Sequence, residues 1–291
     1  MAILLALAHN EEFEILGITT VAGNQTLDKV TANILKVEDW LGIDIPVYKG
    51  YDAPLIRRPE PQPIAHGESG MDGPVLPDPV SEPQKLHALE FMKQAVSEND
   101  KVTIVALAPL TNIALFLKTW PELRRKIDCI ALMGGSVYGG NIQKKSEFNI
   151  YHDPEAAKIV FDSGVRIIMA GLEVCYAGSI LLKEAEEFKN GGKVSKLCYD
   201  LMQFYGLYAV NRGWDRTAVF DITPVVYLLK PELFEAEEMD VDIELDGEYT
   251  RGMTVCTSPA EHPKTVLLNT DREAFISVFL EALDLLDKRY V

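Results

Sequence analysis

The chain has 291 residues, 47% hydrophobic and 25% charged, a globular composition long enough to bury a large core. Its 28 basic and 44 acidic residues leave a formal charge of −16. A surface that acidic repels phosphate backbones and anionic lipid, which argues against nucleic acid and membranes as partners, and it is compatible with divalent cations.

The opening run Met1-Ala-Ile-Leu-Leu-Ala-Leu-Ala8 is apolar, but it has no basic residues before it and His9-Asn10-Glu11-Glu12 directly after it. It is too short to cross a bilayer and reads as a buried helix rather than a signal peptide. Glu14 to Val21 is a strand-like, β-branched run that ends at Ala22-Gly23-Asn24. Residues 27–41 carry apolar groups at helical spacing and are closed by Gly42. Ile45 to Tyr48 predicts a short strand, and Pro54 to Pro83 a long loop. Helix follows over 83–97, and Val102 to Leu107 reads as a strand buried on both faces.

Pro109 fits the first turn of a helix running through Leu117. Ile127 to Met133 predicts another buried strand, ending at Gly134-Gly135. Asp153-Pro154-Glu155 supplies a side-chain cap, a proline at the first helical position and an acid at the positive helix end, with Gly164 as the stop. Arg166 to Ala170 is the next strand. Helices are expected near 182–190, 194–210 and 221–230. A hairpin should pair Val241–Leu245 with Glu248–Cys256 about a two-residue Asp246-Gly247 turn. A strand at Thr265–Leu268 and a helix at 271–288 complete the order.

No linker-like stretch divides the chain, so residues 1–291 read as one domain. The alternation predicts an α/β fold with a mainly parallel, Rossmann-like sheet covered by helices on both faces, followed by a C-terminal helical region and the β-hairpin. In such sheets ligands bind beyond the carboxyl ends of the strands. Cys129, Cys175, Cys198 and Cys256 are far apart with no CxxC spacing, which fits reduced thiols in a cytoplasmic protein better than a zinc site.

Gly134 to Asn141 is glycine-rich and follows a strand, yet it lacks GxGxxG and GxxxxGK[ST] and no helix pattern starts directly after it. A dinucleotide site is therefore not expected. Small residues there suit a close backbone approach to a compact ligand. Downstream, Asn141, Glu147 and Asn149 offer two amides and a carboxylate at strand ends, the donor and acceptor array that sugar hydroxyls require. His9, His87 and His262 lack carboxylate or cysteine partners at ligand spacing, and His152 beside the Asp153 cap suits local structure.

Taken in order, Ile18-Thr-Thr-Val-Ala-Gly-Asn24, His66-Gly-Glu-Ser-Gly-Met-Asp-Gly73, Ala108-Pro-Leu-Thr-Asn112, Met133-Gly-Gly with Gly140-Asn141, Glu147-Phe-Asn149, Asp153-Pro-Glu-Ala and Asp221-Ile-Thr-Pro resemble the inosine-uridine preferring nucleoside hydrolase family. The match runs nearly end to end. The resemblance implies hydrolysis of ribonucleosides to ribose and free base by a Ca²⁺-activated water, through an oxocarbenium-like transition state. It places Asn24, Asn141, Glu147 and Asn149 on the ribose, and His66 near the sugar or base. Calcium would take a backbone carbonyl of Thr111 and the carboxylate of Asp221. Trp214 either stacks on the base or packs against a helix. A homodimer or homotetramer is implied.

Two departures from the family pattern stand out. The family begins with a strand leading into a DxDxGxDD metal loop that supplies most metal carboxylates and the general base, and Met1 to Leu7 matches the helix after that loop. The chain is thus expected to be an incomplete copy, which the exposed sheet edges of a lost central strand favour, or a degenerate relative. The family's usual histidine before Asp221 is Phe220 here, so a leaving base would need another proton donor, such as His66 or Asp215, or none. The competing function is a non-catalytic nucleoside or ribose binder; an unrelated sugar-binding α/β domain is a third.

Overall fold

The computed structural model describes residues 1–291, apart from the side chain of Tyr208. The first part runs α1 (Ala2–Ala8), β1 (Ile18–Thr20), α2 (Leu27–Leu41), β2 (Val47–Lys49), α3 (Pro63–His66) and α4 (Ala88–Glu98). The centre follows as β3 (Val102–Ala106), α5 (Thr111–Thr119), β4 (Ile127–Met133), α6 (Phe148–His152), α7 (Pro154–Phe161), β5 (Ile167–Ala170) and α8 (Leu172–Ala177). Then come β6 (Ile180–Leu181), α9 (Leu182–Ala185), α10 (Lys193–Val210), β7 (Arg216–Thr217) and α11 (Ile222–Leu229). The chain closes with β8 (Phe234–Ile243), β9 (Thr254–Thr257), β10 (Lys264–Thr270) and α12 (Arg272–Arg289).

Six strands form the main sheet in the order β3-β4-β5-β10-β8-β9. The first four are parallel, and β8 and β9 add antiparallel. Side-chain alternation along β4 and β5 divides the core between two faces. Ile130, Leu132, Ile167 and Met169 pack with Phe116 of α5 and Phe161 of α7. Cys129, Ala131, Met133, Ile168 and Ala170 pack on the other side with Leu172 and Cys175 of α8, and with Phe220 ahead of α11. A third cluster joins the apolar α1 to α10, α11 and α12, so the opening segment is a buried helix as its composition predicts. No helix among the described residues is long and apolar enough to cross a membrane.

Several boundaries differ from the sequence reading for identifiable reasons. β1 and β2 form a two-stranded parallel sheet separate from the main one. The side chain of Asn112 ties this pair to α5, the helix after β3, donating to the Thr20 carbonyl at 3.0 Å and accepting from the Tyr51 N–H at 3.0 Å. β3 is consequently an edge rather than a strand buried on both faces: Thr103 is exposed and Val105 is 39% exposed. The helix expected from residue 83 starts at Ala88, because Gln84 is drawn into a bridge with Tyr48 and His87 caps the helix by accepting from Leu89 N–H. The two-residue hairpin turn at Asp246-Gly247 does not form. Ile243 pairs with Thr254, and Glu244 accepts from the N–H groups of Asp246 and Gly247 inside a longer connection.

Candidate functional site

The loops at the carboxyl ends of β4 and β5 are stitched together. Gly134 N–H donates to the Ala170 carbonyl and Leu172 N–H to that of Gly135. Into this junction the chain returns Glu147, the cap of α6. Its carboxylate accepts from Asn149 N–H at 2.9 Å, Ile150 N–H at 3.1 Å and Gly135 N–H at 3.0 Å. Glu147 is 2% exposed, and burial pushes its carboxyl up to about 7 despite those three donors, with the charge of Asp221 adding to the push.

Asp221 precedes α11 and lies within electrostatic reach of Glu147 and Cys175. Its own surface is exposed, yet enough protein surrounds it that burial raises its pKa to about 6. Its side chain makes no capping hydrogen bond. The Cys175 thiol contacts the Thr223 hydroxyl at 3.5 Å, tying α8 to α11 beneath the site, and burial pushes that thiol far up. It acts as packing.

Asn149, 6% exposed, donates from Nδ2 to the Met133 carbonyl at 3.0 Å; its Oδ1 has no protein partner among the described residues but is not sealed from solvent. Asn141 is exposed and orients the loop by accepting from Phe148 N–H at 3.0 Å. The turn beneath it requires Gly140, since a Cβ there would lie 2.1 Å from the Gln143 carbonyl oxygen. Glu173 was not singled out from sequence. It accepts from the N–H groups of Val137 and Tyr138 at 2.9 Å and so holds the start of the same loop. Its only signal was an acid in the first turn of the helix after a buried strand.

On the side of the two-stranded sheet, the half-buried Asn24 makes no side-chain hydrogen bond among the described residues, and its carbonyl accepts from Gln62 N–H at 3.0 Å. Gln62 leads into α3, which ends at His66. The His66 ring lies 5.4 Å from that of Tyr205, and burial lowers its pKa. The loop after it is held shut by Asp72, which accepts from Glu68 and Ser69 N–H, and is fastened to α2 by Asn33. Trp214 is 46% exposed and meets Tyr176 edge-on at 6.4 Å, and Tyr176 meets Phe220 edge-on at 5.6 Å. Trp214 thus packs against a residue of α8 while keeping nearly half its surface open, which is compatible with both of its sequence readings.

Neither replacement proton donor is a ready acid. Arg216 holds the Asp215 carboxyl below its ordinary range through a hydrogen bond at 3.0 Å, and His66 is kept neutral by burial. Thr111 opens α5, and its hydroxyl is committed to Asp153 at 2.6 Å. Glu147, Asn149, Asn141 and Asp221 are therefore brought together. Among the described residues no group of three or more His, Cys, Asp or Glu side chains is placed to hold a metal. Calcium seeks six to eight oxygens, so Asp221 with the Thr111 carbonyl does not make a fitting shell. A cavity of about 180 Å³ lies elsewhere, between α1, α2 and α10, with an apolar lining broken by Asn33 and Glu38.

The profile of the family described as inosine-uridine preferring nucleoside hydrolase matches residues 1–277. A pyrimidine-specific ribonucleoside hydrolase, RihA, of Citrobacter koseri is 42% identical over 292 aligned positions, covering 97% of this chain and 93% of that protein. The protein of the same name from Escherichia coli O1:K1 / APEC is 40% identical, covering 97% and 94%. A purine-preferring ribonucleoside hydrolase from Gardnerella vaginalis superposes with a TM-score of 0.92 at 29% identity, covering 99% of this chain and 95% of its own.

Proposed function

The chain belongs to the inosine-uridine preferring nucleoside hydrolase family, and from that premise we propose that it cleaves the N-glycosidic bond of pyrimidine ribonucleosides, uridine and cytidine ahead of inosine. The observation that carries the site assignment is the Glu147–Asn149 pair: a buried carboxylate fixed by three backbone donors, next to an amide oxygen without a protein partner among the described residues. A ribose hydroxyl can donate to that oxygen in place of solvent. Asn141 and Asn24 extend the array around the sugar.

As the C1′–N bond breaks, positive charge develops on the ring, and fixed carboxylate and amide dipoles stabilise it without reorganising. Glu147 has its oxygens occupied, so Asp221 is the carboxylate free to face the sugar cation or the incoming water. The aromatic wall of Trp214, Tyr176 and Phe220 offers the base flat surface rather than a proton, and the pyrimidine preference named for the 42%-identical relative supports a small base there.

Calcium is the ion the sequence resemblance implies. The donors described do not complete its shell, so no step is routed through it. That shortfall favours a second reading, a nucleoside or ribose binder without turnover. Incubating the protein with uridine, cytidine and inosine, with and without Ca²⁺, and assaying released reducing sugar separates the two. Ribose release from uridine and cytidine supports the hydrolase. Saturable calorimetric binding without release supports the binder, and neither would remove both.

A further inference from the structure

Five successive N–H groups in the loop after β4 find their acceptors on side chains. Gly135 N–H donates to Glu147 Oε2 at 3.0 Å and Ser136 N–H to Thr254 Oγ1 at 2.9 Å. Val137 and Tyr138 N–H both donate to Glu173 Oε1 at 2.9 Å, and Gly139 N–H donates to Ser136 Oγ at 2.9 Å. Backbone held in this way keeps one path only as far as those side chains keep theirs. The outside acceptors come from three places: Glu147 ahead of α6, Glu173 in the first turn of α8 and Thr254 at the start of β9. Glu173 takes two of the five donors, in the middle of the loop.

The Oε2 atom of Glu173 is closed to solvent and has no hydrogen-bond partner among the described residues. A carboxylate oxygen taken from water without a donor costs stability, and departures of that kind collect at functional sites. Glu173 also shares the electrostatic surroundings of the sugar site. The Cys175 thiol, pushed up chiefly by burial, feels the charges of Asp221, Glu147 and Glu173 together. The loop that Glu173 holds runs on to Asn141, whose Oδ1 accepts from Phe148 N–H at 3.0 Å, one residue after Glu147.

We propose that Glu173 is a positioning residue for the sugar site: by fixing the Val137 and Tyr138 N–H groups it sets the path of the loop that delivers Asn141 to the ribose. The proposal rests on the sugar-site reading above. Glu173 acts through backbone, so its carboxylate oxygen matters as an acceptor and its charge does not. A shift of about 1 Å in a group that orients a ligand costs on the order of 10²-fold in function, which makes a distant clamp count. Asp240 provides the matched case without a sugar nearby. It accepts from Glu261 and His262 N–H at 2.8 and 2.6 Å, beside the amino end of β10 and so at the opposite rim of the sheet.

Calorimetric titration of the full chain with cytidine, together with amide hydrogen exchange, tests this. Glu173→Ala should weaken cytidine binding at least about tenfold and speed exchange at the Val137 and Tyr138 amides, while the Gly135 amide keeps its protection and shows the site still folded. Glu173→Gln, which retains an oxygen for both donors, should bind within about threefold of the parent. Asp240→Ala should leave cytidine affinity unchanged. Parent-like affinity in Glu173→Ala overturns the positioning role even if the loop amides exchange faster. So does a loss that Glu173→Gln fails to restore, or one that Asp240→Ala shares. A parent that binds no cytidine overturns the sugar-site reading itself, and the role of Glu173 with it.

Discussion

Glu38 of α2 is 5% exposed, with Oε1 sealed and without a partner among the described residues, and burial, with the charges of Asp39 and Asp44 adding to it, raises its carboxyl from 4.5 to about 7. The cavity beside it keeps its surroundings loosely packed although the side chain shows almost no surface. A raised acid pKa favours the fold while the group is protonated. This contribution is full below pH 4.5, is lost as pH rises to about 7, and stays lost above. At ~1.4 kcal/mol per unit, discounted for water in the cavity, Glu38→Leu should stabilise the protein by about 2 kcal/mol at pH 8. Its melting temperature should rise and fall less steeply between pH 5 and 7.5 than that of the parent, as read by circular dichroism. An unchanged slope would place the proton elsewhere.

Asp221 carries the opposite consequence for function. With its pKa at about 6, ligand binding or turnover that needs its negative charge should weaken as pH drops through 6, and Asp221→Asn should flatten that limb. A pH profile level from 5 to 8 in the parent would remove the charge from the account. Asn149→Ala and Glu147→Ala should each lower kcat/KM, or affinity if the protein only binds, by ~10²-fold.

Two side chains hold elements in register, and both were visible in the sequence only as parts of motifs. Asp153 caps α7 through Ala156 N–H, accepts from Leu55 N–H in the long loop and receives the Thr111 hydroxyl from α5. The Asp-Pro-Glu pattern announced the cap, because capping is a local rule; the other two bonds join residues 98 and 42 positions away and have no local signature. Asp153→Ala should therefore cost about 3 kcal/mol, roughly one for the cap and one for each stranded donor, and lower the urea midpoint without changing the slope. Asn112 is the comparable case between the two-stranded sheet and α5. Asn112→Ala should speed hydrogen exchange at the Tyr51 amide by about tenfold or more while β4 and β5 keep their protection. Uniform exchange across both sheets would show that the contact does not hold them separately.

At the scale of the molecule, strand periodicity and helix caps revealed the α/β order with most boundaries, since the pattern of buried positions is written locally. Pairing is not. Val102 to Ala106 looks like a strand covered on both sides, and only the positions of β1 and β4 decide that it lies at an edge. The site was legible where chemistry was concentrated in short motifs, as in Glu147-Phe-Asn149, whereas the aromatic wall joins Tyr176, Trp214 and Phe220 from three separate segments and had no shared signal. Glu173 was missed for the same reason: its partners are the N–H groups of Val137 and Tyr138, and a backbone donor is invisible in a sequence.

The account depends on a pentose held at the carboxyl ends of β4 and β5. A crystal soaked with cytidine measures this most directly. Ribose oxygens within hydrogen-bonding distance of Asn149 Oδ1 and Asn141, with the base against Trp214 and Phe220, are the predicted result. Cytidine ordered at another place, with those amides untouched, would contradict it.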